Sequence, residues 1–527
     1  MSASETVPDT VSETASETAS EMVESRWDPR ARSRSELWNT TVPQVAALVL
    51  CIVYALVMYR LVWLRHERFG SFDYDLGMYD QGIWQLAHGR GFMTVRGMHV
   101  FGHHANFGYL LLVPFYWIGA GPHFLNAVNT IGVVACCLPL YFMAKRGLRS
   151  DWAGLAVCFV FLFHYVPQWM INETFHPENL AAPFIIGAVY LAIEGRWRGY
   201  WWCIGLAMIW KEDVALVTAV LGVVLIFMTR EFRRGALTVV VSAIWFVVCL
   251  KLVIPFFSPD GAVFDGLFGE LGKSATDVVF NSVRQPSLAL RILQEHGAEA
   301  GALDMMRPYA FTSFAAPHLM LLGLPQHVVN FLSVQSFTWE TKFHYAMFPF
   351  VGITLAAVRG ATTRSRRWVG WAMVVAMVVG VVATRNMGVG PWSNQYAMGF
   401  WPLTEDPVLQ PARERAVAQV RPDDVVSAPY FLVPHLSQRE EVYTFPNPWK
   451  PNNFGARPGV RRDPARVDVV IMQPMSLQGD EVTIWNGVIA TGEFSREAAF
   501  GSDIDPVEVW RRTSPPRVPG TTLEPTG

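Results

Sequence analysis

The sequence predicts a polytopic α-helical membrane protein, about eleven spans followed by a small extracytoplasmic α/β domain, on three observations. Of 527 residues, 51% are hydrophobic and only 16% charged; mean hydropathy is +0.24; and long apolar runs recur with short basic stretches between them. The formal net charge of −2 excludes a strongly basic nucleic-acid binder, so no nucleic-acid partner is expected. All six cysteines (Cys51, Cys136, Cys137, Cys158, Cys203 and Cys249) fall inside apolar runs, where they suit helix packing and form neither a disulfide framework nor a zinc spacing.

Taken in chain order, residues 1–40 begin with a Ser-Glu-Thr repeat of very low apolar content, which predicts a disordered cytoplasmic tail. The first apolar run starts only near residue 43 and is too long for a cleaved signal, so it is expected to stay as an anchor. A hydrocarbon core takes about 20 apolar residues. Candidate spans lie near 44–64, 124–143, 152–170, 179–194, 199–210, 213–229, 235–256, 308–323, 325–337, 345–358 and 368–384.

Basic clusters at 26–34, 145–149, 196–198, 230–234 and 359–367 all fall on one side when these spans alternate, and that side is the cytoplasm. The same parity favours a chain break at Lys211-Glu212-Asp213 and another at 323–326. The membrane domain is expected over 41–384, with a large outer loop at 65–123. The run 107–122 is apolar but short and interrupted by proline, which places it along the interface. Residues 385–512 carry short β-like runs, "DVVSAP", "EVYTFP" and "VDVVIMQP", predicting the extracytoplasmic α/β domain. Residues 513–527 read as a disordered tail.

The unusual polar residues collect on the outer side. The first loop holds Asp73, Asp75 and Asp80, then His99, His103 and His104. Such residues serve as a general base toward a hydroxyl, as ligands of a divalent cation, or simply as caps and turn formers. A second group is Glu173, His176 and Glu178, and a third, Lys211, Glu212 and Asp213, interrupts an apolar stretch. Charges at that depth cost about 2.5–3.5 kcal/mol each when unpaired, so they are expected to line a polar cavity and to pair, with Lys211 suited to a phosphate. A fourth group contains Glu340, Lys342, His344 and Tyr345; here His344 and Lys342 could face an anionic headgroup, while Tyr345 also suits an interfacial belt. If a metal is bound, the candidate ligands are Asp75, His104 and Glu178.

The ordered series "YDLGMYDQGIW", "FGHHANF", "FHPENLAAP", "WKEDVAL", "KFHYAMFPF" and "VVSAPYFLVPHLSQREEVYTFPNP" resembles the predicted bacterial membrane proteins of domain-of-unknown-function family 2079, over about 44–475. That family is generally grouped with the GT-C type of glycosyltransferase. The resemblance therefore implies a GT-C-like fold in a bacterial plasma membrane and transfer of a sugar from a polyprenyl-phosphate donor on the outer side. The acceptor would be an envelope glycan, lipid or protein, and a single displacement would invert the anomeric configuration. The family's Asp-Leu-Gly-x-x-Asp-Gln falls on Asp75 to Gln81, making Asp75 the implied base and Asp80 the second candidate. Lys211, Lys342 and His344 would meet the donor phosphate, with His104, His176, Glu178, Glu212, Asp213 and Tyr345 lining the cavity. Where the family often has Gly-Asp-His, this chain has Gly102-His103-His104, so one acid of that motif is replaced. A transporter or lipid flippase uses intramembrane charges too, but no internal repeat accompanies them here. A non-catalytic envelope scaffold would leave Asp75 and Lys211 dispensable.

Overall fold

Long apolar runs with little glycine or proline inside them satisfy their backbone internally and become helices. In the computed structural model, which describes residues 41–258, 267–272, 275–450 and 463–513, four helices are long and apolar enough to cross a membrane: Val42–Glu67, Pro122–Leu148, Phe232–Phe257 and His344–Thr362. A fifth span is formed if Asp151–Phe163 and Tyr165–Asn172, which meet at 52°, count as one, and Pro177–Ile193, Val214–Thr229 and Arg367–Ala383 are shorter apolar helices. The bend has a local cause. His164 adopts extended backbone, and its Nδ1 accepts a hydrogen bond from the Val166 amide, capping the second helix while the first stops. The tails expected at 1–40 and beyond 513 lie outside the described residues.

The break expected at Lys211-Glu212-Asp213 is present, between helices Trp197–Met208 and Val214–Thr229. The span expected over 308–323 is not a helix. It consists of three 3₁₀ segments, Arg307–Tyr309, Thr312–Ala315 and Pro317–Leu322, because Ala310 and Phe311 both take positive φ and Pro317 removes a donor. After it, helix Leu324–Leu332 is shorter than the expected 325–337. The loop run 107–122 forms only a 3₁₀ turn and a four-residue helix. It leaves Leu110, Leu111, Phe115, Trp117 and Ile118 exposed, an apolar surface suited to the interface.

Two short strands, β1 (Phe92–Met93) and β2 (Met98–His99), pair antiparallel in the loop between the first two long helices. The C-terminal domain carries a five-stranded mixed sheet in the order β4-β3-β5-β7-β6. Strands β3 (Val426–Ala428), β4 (Val442–Thr444) and β5 (Val469–Met472) pair in parallel and coincide with the three expected runs. Strands β6 (Phe494–Gly501) and β7 (Pro506–Arg512) add an antiparallel hairpin. Helices Leu409–Ala418 and Glu481–Ala490 complete the domain.

This sheet is fastened to the outer loop by buried polar contacts. Asp73 accepts from Thr444 at 2.5 Å, and Asp80 accepts from Tyr116 and Ser437 at 2.7 Å each. Thr94 donates to the Val442 carbonyl and accepts from its amide, and Gln85 donates to the Glu440 carbonyl. Asp73, on the π-helical turn, and Asp80, on the α-helix that follows, both turn toward the C-terminal domain.

Burial pushes the Asp80 carboxyl up to about 6, outweighing the hydrogen bonds from Ser437, Tyr116 and Gln438. Its folded value lies above the unfolded value of about 3.9. The stabilisation it contributes is therefore complete below the unfolded value and is lost as pH rises through about 6. Thermal unfolding of wild type and Asp80→Asn at pH 5 and pH 7.5 should show wild type holding the larger advantage at the lower pH. A pH-independent difference would contradict the assignment.

Candidate active site

The acids of the outer loop are sorted by a short π-helical turn, Asp73–Gly77, that precedes helix Met78–Ala87. Residues two apart on such a turn point in roughly opposite directions, and widened turns of this kind recur at functional sites. Asp73 therefore meets the C-terminal sheet while Asp75 faces a cleft of about 400 Å³. Asp75 is half-buried, with 29% of its side chain exposed. Asp80, expected as a second catalytic acid, is fully buried in the joint with Ser437 and does not line the cleft.

Besides Asp75, the cleft is walled by Glu173, by the cations Arg65 and Lys342, and by the rings of Phe72, Trp169, Phe343 and Phe400. Arg65, in the last turn of the first span, was not singled out by the sequence pattern. Its Nε donates to the Gly70 carbonyl at 2.8 Å, and its Nη1 donates to the carbonyl and the side-chain oxygen of Asn172 at 2.6 and 2.8 Å. Its guanidinium carbon lies 5.4 Å from the centre of the Phe72 ring. These hydrogen bonds run to neutral oxygens, which orient the guanidinium in the cleft beside Asp75 and Glu173. Lys342 also reaches the cleft, but it pairs with Glu340 at 2.5 Å and stays half-exposed.

Behind Asp75 the ends of three helices, Tyr165–Asn172, Pro177–Ile193 and His344–Thr362, bring together Glu173, His176 and His344. The Nδ1 of His344 lies 2.8 Å from Glu173 Oε1, and the His344 amide donates to the other oxygen of Glu173. The rings of His176 and His344 stack at 3.8 Å, and Tyr345 packs 3.9 Å from His344. His176 Nε2 lies 3.4 Å from Asp75 Oδ1 and 3.8 Å from Glu173 Oε1. Both ring nitrogens of His176 are buried, and among the described residues neither makes a well-formed hydrogen bond, the approach of Nε2 to Asp75 being long.

Ligand atoms of Glu173, His176 and His344 all lie within 4.8 Å of one another. One carboxylate and two imidazoles, one of them with orphaned nitrogens, fit a divalent transition cation. The metal set expected from sequence, Asp75, His104 and Glu178, is not brought together. His104 instead pairs with Glu212 at 2.7 Å, and Glu178 pairs with Lys211.

The two carboxyls of the cleft are driven apart electrostatically. Burial pushes Glu173 up to about 8. Burial works in the same direction on Asp75, but His176, His344 and Arg65 outweigh it and hold Asp75 below the usual carboxylate value. Near neutrality the cleft thus presents an ionised carboxylate, Asp75, and a protonated one, Glu173, and a cation bound at Glu173 would displace that proton.

Lys211, expected to meet a phosphate, is turned inward. Its Nζ pairs with Glu178 and lies 3.3 Å from Asp213 Oδ2 and 6.0 Å from the Tyr345 ring centre. Glu212 accepts from the Ala105 amide at 3.0 Å as well as facing His104. Lys211, Glu212, Asp213 and Glu178 form a charge network beneath the site and do not line the cleft.

A family model described as a predicted membrane protein, DUF2079, matches residues 65–490. No curated protein sequence matches the chain. Among solved structures, the chain is similar to ArnT from Cupriavidus metallidurans bound to undecaprenyl phosphate, at 16% identity and a TM-score of 0.46, covering 89% of this chain and 98% of that one. It is also similar to the Archaeoglobus fulgidus oligosaccharyltransferase in the apo form, at 11% identity and a TM-score of 0.38, covering 85% and 73% respectively. A likeness at that level carries no chemistry to this chain.

Proposed function

Since the chain belongs to the DUF2079 family of predicted membrane proteins, we propose that it is a membrane glycosyltransferase that takes a sugar from a polyprenyl-phosphate donor and passes it to an acceptor hydroxyl at the outer face of a bacterial plasma membrane. The observation that carries this reading is that one open cleft walled by aromatic rings presents both the ionised Asp75 and Arg65, whose hydrogen bonds run to neutral oxygens. Aromatic faces suit the apolar faces of a sugar and the first isoprene units of a lipid, and a guanidinium suits a phosphate.

In this reading Asp75 accepts the proton of the acceptor hydroxyl as its oxygen attacks the anomeric carbon. The bond from that carbon to the phosphate oxygen breaks, and the polyprenyl phosphate leaves with the electron pair toward Arg65. One displacement inverts the anomeric configuration. Glu173, His176 and His344 would hold a divalent cation, which when bound supplies further charge neutralisation for the phosphate. The acceptor is an envelope glycan, lipid or protein carrying a free hydroxyl.

Removing a charge-assisted hydrogen bond costs about 1.5–3 kcal/mol, or roughly 10–100-fold in affinity. Binding of polyprenyl monophosphate to the full-length protein in nanodiscs should accordingly weaken by that factor in Arg65→Gln. Lys342→Gln should change it by less than about threefold, because an exposed, already paired lysine contributes little. Equal binding by Arg65→Gln and wild type would remove the phosphate from this cleft.

A further inference from the structure

Three of the six cysteines converge at one point inside the membrane domain. Cys51 lies on Val42–Glu67, Cys137 opens helix Cys137–Leu148 just after the break at Cys136, and Cys158 lies on Asp151–Phe163. Their sulfurs all stand within 4.8 Å of one another. The Cys158 thiol approaches the Cys137 carbonyl at 3.6 Å, and the Cys137 thiol approaches the Cys158 carbonyl at 4.0 Å, contacts that are weak for a sulfur donor. Ordinary packing accounts for the burial of a cysteine but not for three sulfurs from three helices aimed at a common centre.

We propose that Cys51, Cys137 and Cys158 form a binding site for a soft monovalent cation, copper(I). Thiolates select soft ions, and among the described residues the group contains three sulfurs with no histidine or carboxylate as a fourth ligand, which disfavours tetrahedral zinc. Three sulfurs each ~2.3 Å from a central ion stand ~4 Å apart in a plane. The observed separations therefore need only side-chain rotation to close on the ion.

Copper(I) displacing one proton gives a neutral complex in which the thiolate is the principal ligand and the other two sulfurs are weaker donors. A neutral complex avoids the cost of a net charge in an apolar interior. Cys51 is nine residues beyond Val42, about 14 Å along the helix at ~1.5 Å per residue, which is deep in the bilayer. It is only half-buried, and Leu48, Val49, Ile52 and Val53 around it are exposed.

The test is an anaerobic titration of the full-length protein in nanodiscs with copper(I) held by a competing chelator. One ion per chain is expected, with a sulfur-to-copper ultraviolet band and one proton released per ion. Loss of a ligand should weaken binding by at least about tenfold in both Cys51→Ser and Cys158→Ser, while Cys203→Ser, outside the group, binds as wild type. Two variants keep the test decisive should one fail to fold. No binding by wild type, undiminished binding in both variants, or fewer reactive thiols in untreated denatured protein than the six cysteines of the chain would overturn the site.

Discussion

Replacing Asp75 by asparagine should lower sugar transfer by roughly 10²–10⁴-fold, the range that a positioned general base supplies, without loss of fold or of lipid binding. Asparagine keeps the shape of the side chain but cannot take a proton. Asp75 sits on a turn whose other acid, Asp73, is held by Thr444, so the local backbone remains anchored. Because the phosphate is assigned to Arg65, the dissociation constant for polyprenyl monophosphate should move by less than about threefold, well under the factor expected of a phosphate ligand. Asp80→Asn, by contrast, should retain most of the transfer rate and lose stability, since Asp80 bonds to Ser437 and Tyr116 in the joint. Equal loss of rate in both variants would mean that the joint, and not the cleft, controls turnover.

The second large effect is on stability. Lys211→Met should destabilise the protein by about 3–5 kcal/mol, the consequence of stranding buried carboxylates when one partner of an ion pair is removed. Glu178 and Lys211 are both buried, and Asp213 lies 3.3 Å from the same ammonium. Adding Glu178→Gln to Lys211→Met should recover part of the loss, because the stranded charge is then gone. Thermal unfolding of the single and double variants in detergent measures this coupling. A Lys211→Met protein as stable as wild type, but unable to bind polyprenyl monophosphate, would return the phosphate to Lys211.

The contrast between Lys211 and Arg65 shows where the sequence is informative and where it is not. A charged triplet inside an apolar run announces itself through its desolvation cost, and the break it forces in the chain is present. One partner, Asp213, belongs to the triplet itself, as expected. The other, Glu178, is 33 residues away, and only the packing of helices brings it there. Arg65 sits at the end of a span, where arginine is usual as a snorkelling residue, so nothing in its neighbourhood distinguishes it from the other basic flanks.

The sequence offered Asp80 as a second catalytic candidate; that Asp73 and Asp80 instead meet the C-terminal domain depends on the π-helical turn before Met78, which is not visible in composition. Parallel strands β3, β4 and β5 read clearly as short β-branched runs. The β6–β7 hairpin did not, because β6 is a largely exposed edge strand with only Phe494 fully buried, so its apolar alternation is faint. The 3₁₀ segments of 307–322 were masked by their hydrophobicity, since left-handed backbone at Ala310 and Phe311 is set by tertiary contacts and not by residue type.

The central claim is tested most directly by incubating the purified protein in nanodiscs with a panel of radiolabelled polyprenyl-monophosphate hexoses and pentoses plus an envelope extract as acceptor, and following release of unglycosylated polyprenyl phosphate. The prediction is that one donor is discharged by wild type, with the sugar recovered on an acceptor in inverted configuration, and that Asp75→Asn discharges none while still binding it. Discharge by Asp75→Asn at the wild-type rate, or retention of configuration in the product, would contradict the account.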